Sequence, residues 1–268
     1  MASLITAPNK TMTAAEIYTR LPQDRLRISL FGSTKFWGKD SPALCAEIGN
    51  GLAKRLGTKV VLLTGANGVI HEKISRPFDQ KVPDGVFHLA PQGYSCDFDF
   101  GQVLIAGKDM EERRSILAEC AQVAIAVEGG PGTKDEMLKA QSFGRTLLPV
   151  ARTGGASKNI FGNVTPPSNV SAETWALLAD ETASISASAD AVVDIVTILM
   201  QQQEAAPLTE IVLLVVAPFT AEQRYVSASS VMSALWSVRP TTTTTTTKTT
   251  KTNSQMFIIQ SFVEIISY

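Results

Sequence analysis

Val127-Glu128-Gly129-Gly130-Pro131-Gly132-Thr133-Lys134-Asp135-Glu136 is the stretch on which the reading of this chain turns. A strand-like apolar run, Val123 to Val127, leads into it, and a helix-like run, Lys134 to Phe143, leads out. Three glycines in four positions free the backbone of Cβ atoms at a strand-to-helix turn. Such a turn offers N–H groups and the positive end of a helix to an anion, usually a phosphate. Glu136, one turn into the helix, faces the same crevice. A phosphate cradle beside a carboxylate points to a nucleotide site.

Working outward, strand-like and helix-like runs alternate. Arg27 to Phe31, Lys59 to Leu63, Val86 to Ala90, Val123 to Val127 and Thr146 to Ala151 read as strands. Ser41 to Leu56, Val69 to Gln80 (shortened by Pro77), Asp109 to Cys120, Lys134 to Phe143 and Ala189 to Gln203 read as helices. Ile211 to Val216 reads as a late strand and Ala221 to Trp236 as a final helix. The alternation predicts an α/β fold, a mostly parallel sheet with helices on both faces. Continuously apolar strands such as Val123 to Val127 agree, because parallel strands are buried on both sides. Ligands in this architecture bind outside the carboxyl ends of the strands, where the glycine-rich segments converge. The expected organisation is an N-terminal extension (1–24), one α/β domain (25–238) and a Thr-rich linker and tail (239–268). The tract Thr241 to Thr247 is expected to be disordered. The apolar stretch Met256 to Ile266 is either a small docking strand or an imperfect gene model.

The 24 basic and 25 acidic residues nearly cancel, so no basic face for nucleic acid is implied. The hydrophobic fraction of 44% is that of an ordinary globular protein. Cys45, Cys96 and Cys120 lie far apart without CxxC pairing, which argues against a disulfide framework or a zinc site. The longest apolar run, Ile211 to Phe219, is far short of the roughly 20 residues that span a bilayer, so no membrane is expected. Met1 to Lys10 lacks a signal-peptide hydrophobic region; the expected location is cytoplasmic, with an organelle transit segment as the alternative.

The first edge loop, Gly32-Ser33-Thr34-Lys35-Phe36-Trp37-Gly38-Lys39-Asp40, looks like a Walker A sequence and fails twice. Five residues separate Gly32 from Gly38 where four belong, and Asp40 stands where Ser or Thr would hold magnesium. Gly32, Ser33 and Thr34 can still donate to a phosphate or ribose. The second loop, Thr64-Gly65-Ala66-Asn67-Gly68, is a weaker signal, and GxGxxG is missing throughout.

Met110, Arg113, Ile116, Leu117 and Cys120 share one face of their helix, so Arg113 interrupts an apolar stripe. It either snorkels to the surface or faces the ligand crevice, meeting a phosphate or Glu136. Arg114 points elsewhere and is read as solvated. Glu136 has a structural alternative, because Thr133 to Glu136 fits a capping box. His71 and His88 show no ligand spacing.

Together these residues resemble the SLOG superfamily of Rossmann-like proteins, and within it the lonely-guy phosphoribohydrolases, often mislabelled lysine decarboxylases. The family signature P-G-G-x-G-T-x-x-E is matched from Glu128 to Glu136 at every defined position but the first, where Glu128 replaces Pro. Met110-Glu111-Glu112-Arg113-Arg114 fits an upstream motif of Met, two residues, Arg and a basic residue. Gly32-Ser33 matches the early Gly-Ser loop. The similarity covers roughly residues 25–155. The family's Gly-Gly-Gly after its second strand is Thr64 to Gly68 here, and Gly154-Gly155-Ala156 is more like nucleotide-binding relatives. The resemblance implies a Rossmann-like three-layer α/β/α sandwich. It implies hydrolysis of the N-glycosidic bond of a nucleoside 5′-monophosphate, with Arg113 and Glu136 as the catalytic pair. Gly32, Ser33, Thr34, Gly65, Gly129, Gly130, Gly132 and Thr133 would hold the nucleotide, without metal or other cofactor. It also implies a homodimer that completes its sites at the subunit interface. The alternative is a module that senses a nucleotide without cleaving it.

Overall fold

The computed structural model describes residues 11–216, with side chains as far as residue 203. In chain order the elements are α1 (Ala14–Arg20), β1 (Leu26–Gly32), α2 (Ser41–Arg55), β2 (Val60–Thr64), α3 (Val69–Asp79), β3 (Val86–Ala90), β4 (Gln102–Ile105), α4 (Met110–Cys120), β5 (Val123–Val127), α5 (Pro131–Ser142), β6 (Thr146–Val150), α6 (Gly155–Phe161), α7 (Ala172–Ala176) and α8 (Ile185–Val216). The six strands form one sheet in the order β4-β3-β2-β1-β5-β6, every pairing parallel.

Alternate side chains of a strand point to opposite faces, so each strand of this sheet feeds two cores. On one face Ile28 and Leu30 of β1 pack with Leu44 and Ile48 of α2, Ile70 and Ile74 of α3, and Val192 and Val196 of α8. On the other, Phe31 of β1 packs with Ile116 and Leu117 of α4 and Met137 and Ala140 of α5, and Ile17 of α1 joins them. The result is the Rossmann-like α/β/α sandwich expected. The sheet order reverses at β1, whose neighbours are β2 and β5, and the loops after β1 and β5 flank the crevice so created.

Four departures from the sequence reading have physical causes. Pro77 does not end α3, which runs two residues further to Asp79, and the proline ring packs against Gly49 of α2. The run Ile211–Val216, expected as a strand, is the last part of α8; a short apolar run has no period that separates the two states. β4 went unread because it is an edge strand of four residues whose first three are not buried. α5 begins at Pro131, three residues before the helical pattern starts, with Gly130 as its N-cap. The expected final helix, Ala221 to Trp236, the Thr tract and the apolar tail lie outside the described residues. So does the stretch Met1 to Lys10. Among the described residues no helix is long and apolar enough to cross a membrane.

The closest helix contact is the α2–α3 crossing. A Cβ on Gly49 would sit 2.1 Å from the carbonyl oxygen of Ile74 and 2.9 Å from Cγ of Pro77. Backbone cannot yield as a side chain can. Gly49→Ala should therefore lower stability by about 1–3 kcal/mol. Urea unfolding measures it, and an unchanged midpoint would contradict the crossing.

Candidate functional site

The crevice at the carboxyl edge is built from three loops, and one side chain ties them. Glu128 is fully buried, with its backbone in the left-handed region at φ 56°. Its Oε1 accepts from the N–H of Gly38 at 2.9 Å, and both oxygens lie 3.1 Å from the N–H of Trp37. Ser33 Oγ is 2.7 Å from Oε2 and 2.7 Å from the carbonyl oxygen of Lys35, and its single proton serves one of them at a time. The Glu128 N–H donates to Thr153 Oγ1, and its carbonyl accepts from the N–H and hydroxyl of Ser157. The long first loop is thus wrapped around the protein's own carboxylate.

Gly129 and Gly130 follow directly. Gly129 has φ 96°, and a Cβ there would lie 2.4 Å from Thr133, so glycine is required twice over. Gly130 is different: the nearest atom to its would-be Cβ is the indole of Trp37, 3.9 Å away. Gly132 abuts Arg114, whose Nη2 would come within 2.9 Å of a Cβ. Arg114, expected in solvent, therefore lies alongside the start of α5, with Asp135 3.9 Å away. The packing of α4 on α5 brings it there.

Arg113 does not snorkel. Its side chain is 4% exposed and that of Glu136 6%, and Nη1 reaches Oε1 of Glu136 at 2.8 Å. The capping alternative for Glu136 fails because α5 begins three residues earlier than the pattern required. Burial raises the pKa of Glu136 above the ordinary carboxyl value, against the opposing pull of Arg113 and Arg114. Gly65 is packed onto the guanidinium: a Cβ would sit 2.6 Å from Nη1 of Arg113. Met110 covers its far side, with Sδ 3.8 Å from Nη2. Gly65 and Met110 also line a cavity of about 110 Å³, together with Ala66, Asn67, Tyr94 and Asp97. The Arg113 guanidinium thus abuts two residues of this cavity's lining. Sites for whole small molecules measure roughly 300–1,000 Å³, so the cavity as it stands admits part of a nucleotide.

The structure brings Gly65, Arg113 and Glu136 together, and Gly129, Gly130, Gly132 and Thr133 at the neighbouring turn. Thr34 is exposed beside Gly68. Gly32 faces Ile70 of α3, 2.5 Å from its would-be Cβ, a packing reason for that glycine. Glu128, Arg114, Trp37 and Tyr94 were not among the expected site residues. The last two are 52% and 59% exposed. Glu128 carried a signal, as the one mismatch to the family signature. Among the described residues no group of His, Cys, Asp and Glu could hold a metal ion.

A parallel sheet of this order, with its glycine-rich turns at the carboxyl edge, defines a Rossmann-like α/β protein. No family model and no curated protein matches the chain. Among solved structures it is similar to the structural-genomics target TM1055, at 22% identity, 51% of this chain, 81% of that chain and a TM-score of 0.46. It is also similar to the molybdenum cofactor carrier protein of Chlamydomonas reinhardtii, at 22% identity, 46% and 74% coverage and a TM-score of 0.39. The molybdenum cofactor binding protein of the phototrophic bacterium Rippkaea orientalis gives 21%, 53% and 85%, with a TM-score of 0.40.

The chain's 2 histidines are both buried. His71 accepts the Gly65 N–H at Nδ1, leaving a buried Nε2 without a partner. Burial, then the nearby charge of Arg113, brings its pKa from 6.5 down to about 3. A depressed folded value means that the unfolded chain binds the extra proton. The stabilisation is therefore whole above about pH 6.5 and lost as pH falls toward 3. His71→Gln should make the acid limb shallower, by up to about 1.4 kcal/mol per pH unit. Urea unfolding between pH 4.5 and 6 tests this, and equal slopes would refute it.

Proposed function

We propose that this chain binds a nucleoside 5′-monophosphate at the carboxyl edge and hydrolyses its N-glycosidic bond. The observation that carries the reading is the buried Arg113–Glu136 pair, its guanidinium packed on the lining of a cavity, beside a glycine turn at a helix start. Gly129, Gly130, Gly132 and Thr133 would hold the phosphate at the positive end of α5, a helix of 12 residues. Arg114, alongside Gly132, adds a full positive charge. Glu136 would orient water toward the anomeric carbon and stabilise the oxocarbenium-like centre. The C–N bond breaks, water's oxygen bonds to the sugar, and the base leaves with a proton. Arg113 holds Glu136 in place. No step calls for a metal.

A second reading is binding without turnover. What favours it is the burial of both side chains, which as they stand meet no bulk water. The two readings separate in one experiment. The purified chain is incubated with nucleoside monophosphates and free base is followed. Under hydrolysis, wild type releases base and Glu136→Gln loses roughly 100-fold or more in turnover. Binding should persist, since the amide keeps shape and a hydrogen-bonding oxygen toward Arg113. A wild type that binds without releasing base leaves the sensing module; a fully active Glu136→Gln removes the carboxylate from the chemistry. Arg113→Ala is a poorer probe. Emptying one half of a buried ion pair costs about 3–5 kcal/mol in stability.

We also propose that the site is completed by a second copy of the chain, because the cavity beside Arg113 measures only about 110 Å³. The apolar stripe of α8 is not available for that interface. Val192, Val193, Ile195 and Val196 are buried in the chain's own core. Light scattering on the full-length protein should give twice the 28.7 kDa chain mass. A monomer at micromolar concentration would exclude the dimer.

A further inference from the structure

Open α/β sheets hold ligands where the strand order reverses, between the loops of the two strands that flank the switch. Here those are the loops after β1 and β5, and one of the two is already occupied from within. The first loop aims two backbone N–H groups, those of Trp37 and Gly38, and the hydroxyl of Ser33 at one point. Consecutive N–H groups with a hydroxyl beside them form an anion-binding concavity. The group at that point is the carboxylate of Glu128, wholly buried, on a backbone held at φ 56°. A non-glycine residue keeps such a conformation when its surroundings over-determine it.

The geometry points to Glu128 as a specificity-determining residue: its carboxylate fills the anion position of the first loop, so the crevice takes a ligand bearing one phosphate and rejects one bearing two. This rests on the nucleotide reading above. The single phosphate goes to the Gly129–Thr133 turn, next in sequence to Glu128. A second phosphoryl group reaching toward the first loop meets used donors and a like charge instead of a cradle. The same contacts place Trp37. Its N–H is fixed by the carboxylate while its half-exposed indole lies over Gly130, bordering the position left for the phosphate. Glu128 is a positioning residue for that ring as well.

Two variants separate charge from shape. Glu128→Gln keeps an oxygen for the Gly38 N–H and removes the charge. Glu128→Gly relieves the left-handed backbone and empties the donors. Calorimetric titration compares AMP, GMP, CMP and UMP with the corresponding diphosphates, on the full-length chain. Wild type should prefer the monophosphate by at least about tenfold, and both variants should narrow the gap to within about threefold. Equal affinities in the wild type, or an unchanged gap in the variants, would overturn the inference and leave the nucleotide reading standing. If no nucleotide binds at all, that reading fails, and thermal melts with inorganic phosphate or acetate decide the rest. Either anion should raise the melting temperature of Glu128→Gly by more than about 3 °C while leaving wild type unmoved. Equal responses would sink the built-in anion. Should Glu128→Gly fail to fold, the narrowed preference of Glu128→Gln carries the test.

Discussion

The buried carboxylate of Glu128 is the interaction on which the arrangement of this edge depends. A parallel sheet fixes where its strands end, but it does not fix the loops beyond them. Here the loop after β1 is long and rich in polar backbone, and it needs an acceptor on the protein side of the crevice. Glu128 supplies one, at contacts of 2.7–3.1 Å. Its own backbone reaches the third loop through Thr153 and Ser157. One residue in a strained conformation thereby joins three segments distant in sequence. Strain of order 1–3 kcal/mol is offset by several charge-assisted hydrogen bonds in a dry environment.

The second carboxylate, Glu136, is held differently. It has one guanidinium partner and no cluster of backbone donors, and its burial outweighs its partner in setting its pKa. A buried ion pair is weak evidence for a stability role, since two charges are costly to take out of water. Hydrophobic residues of similar volume would serve the core between α4 and α5 as well. The guanidinium also leaves its Nε without a partner, as His71 does its Nε2. Two unsatisfied buried donors beside an ion pair are expensive for a purely structural device.

Much of this was legible in the sequence, for reasons that can be named. β1, β2, β3, β5 and β6 are buried on both faces, so apolar residues dominate them; β5 is apolar throughout, while Arg27 and Ser29 interrupt β1 and His88 interrupts β3. β4 lies at the sheet edge, where burial does not dictate composition. α1 is marked in the sequence by a capping box, Thr13 with Glu16. Arg113 was legible because a charge in an apolar stripe demands a partner, and its partner was in the one motif already suspect. Arg114 was misjudged because a helical wheel shows which face a residue takes but not what packs against it. The tie at Glu128 spans some ninety residues to Trp37 and Gly38, and no local pattern encodes such a contact.

The glycines sharpen the same point. Glycine-rich turns are usually taken as room for a phosphate, yet most of these are filled by the protein itself. Gly32 admits Ile70, Gly65 admits Arg113, Gly132 admits Arg114, and Gly155 admits the carbonyl of Gly129. At Gly129 the space is taken by Thr133. Gly130 stands apart from these. Its φ of −102° is open to any residue, and its would-be Cβ meets only the half-exposed ring of Trp37. Packing alone does not ask for glycine there. It stands at the N-cap of α5, beside Trp37. Within the motif, Thr133 and Arg114 take up the space at Gly129 and Gly132, and room is left at Gly130.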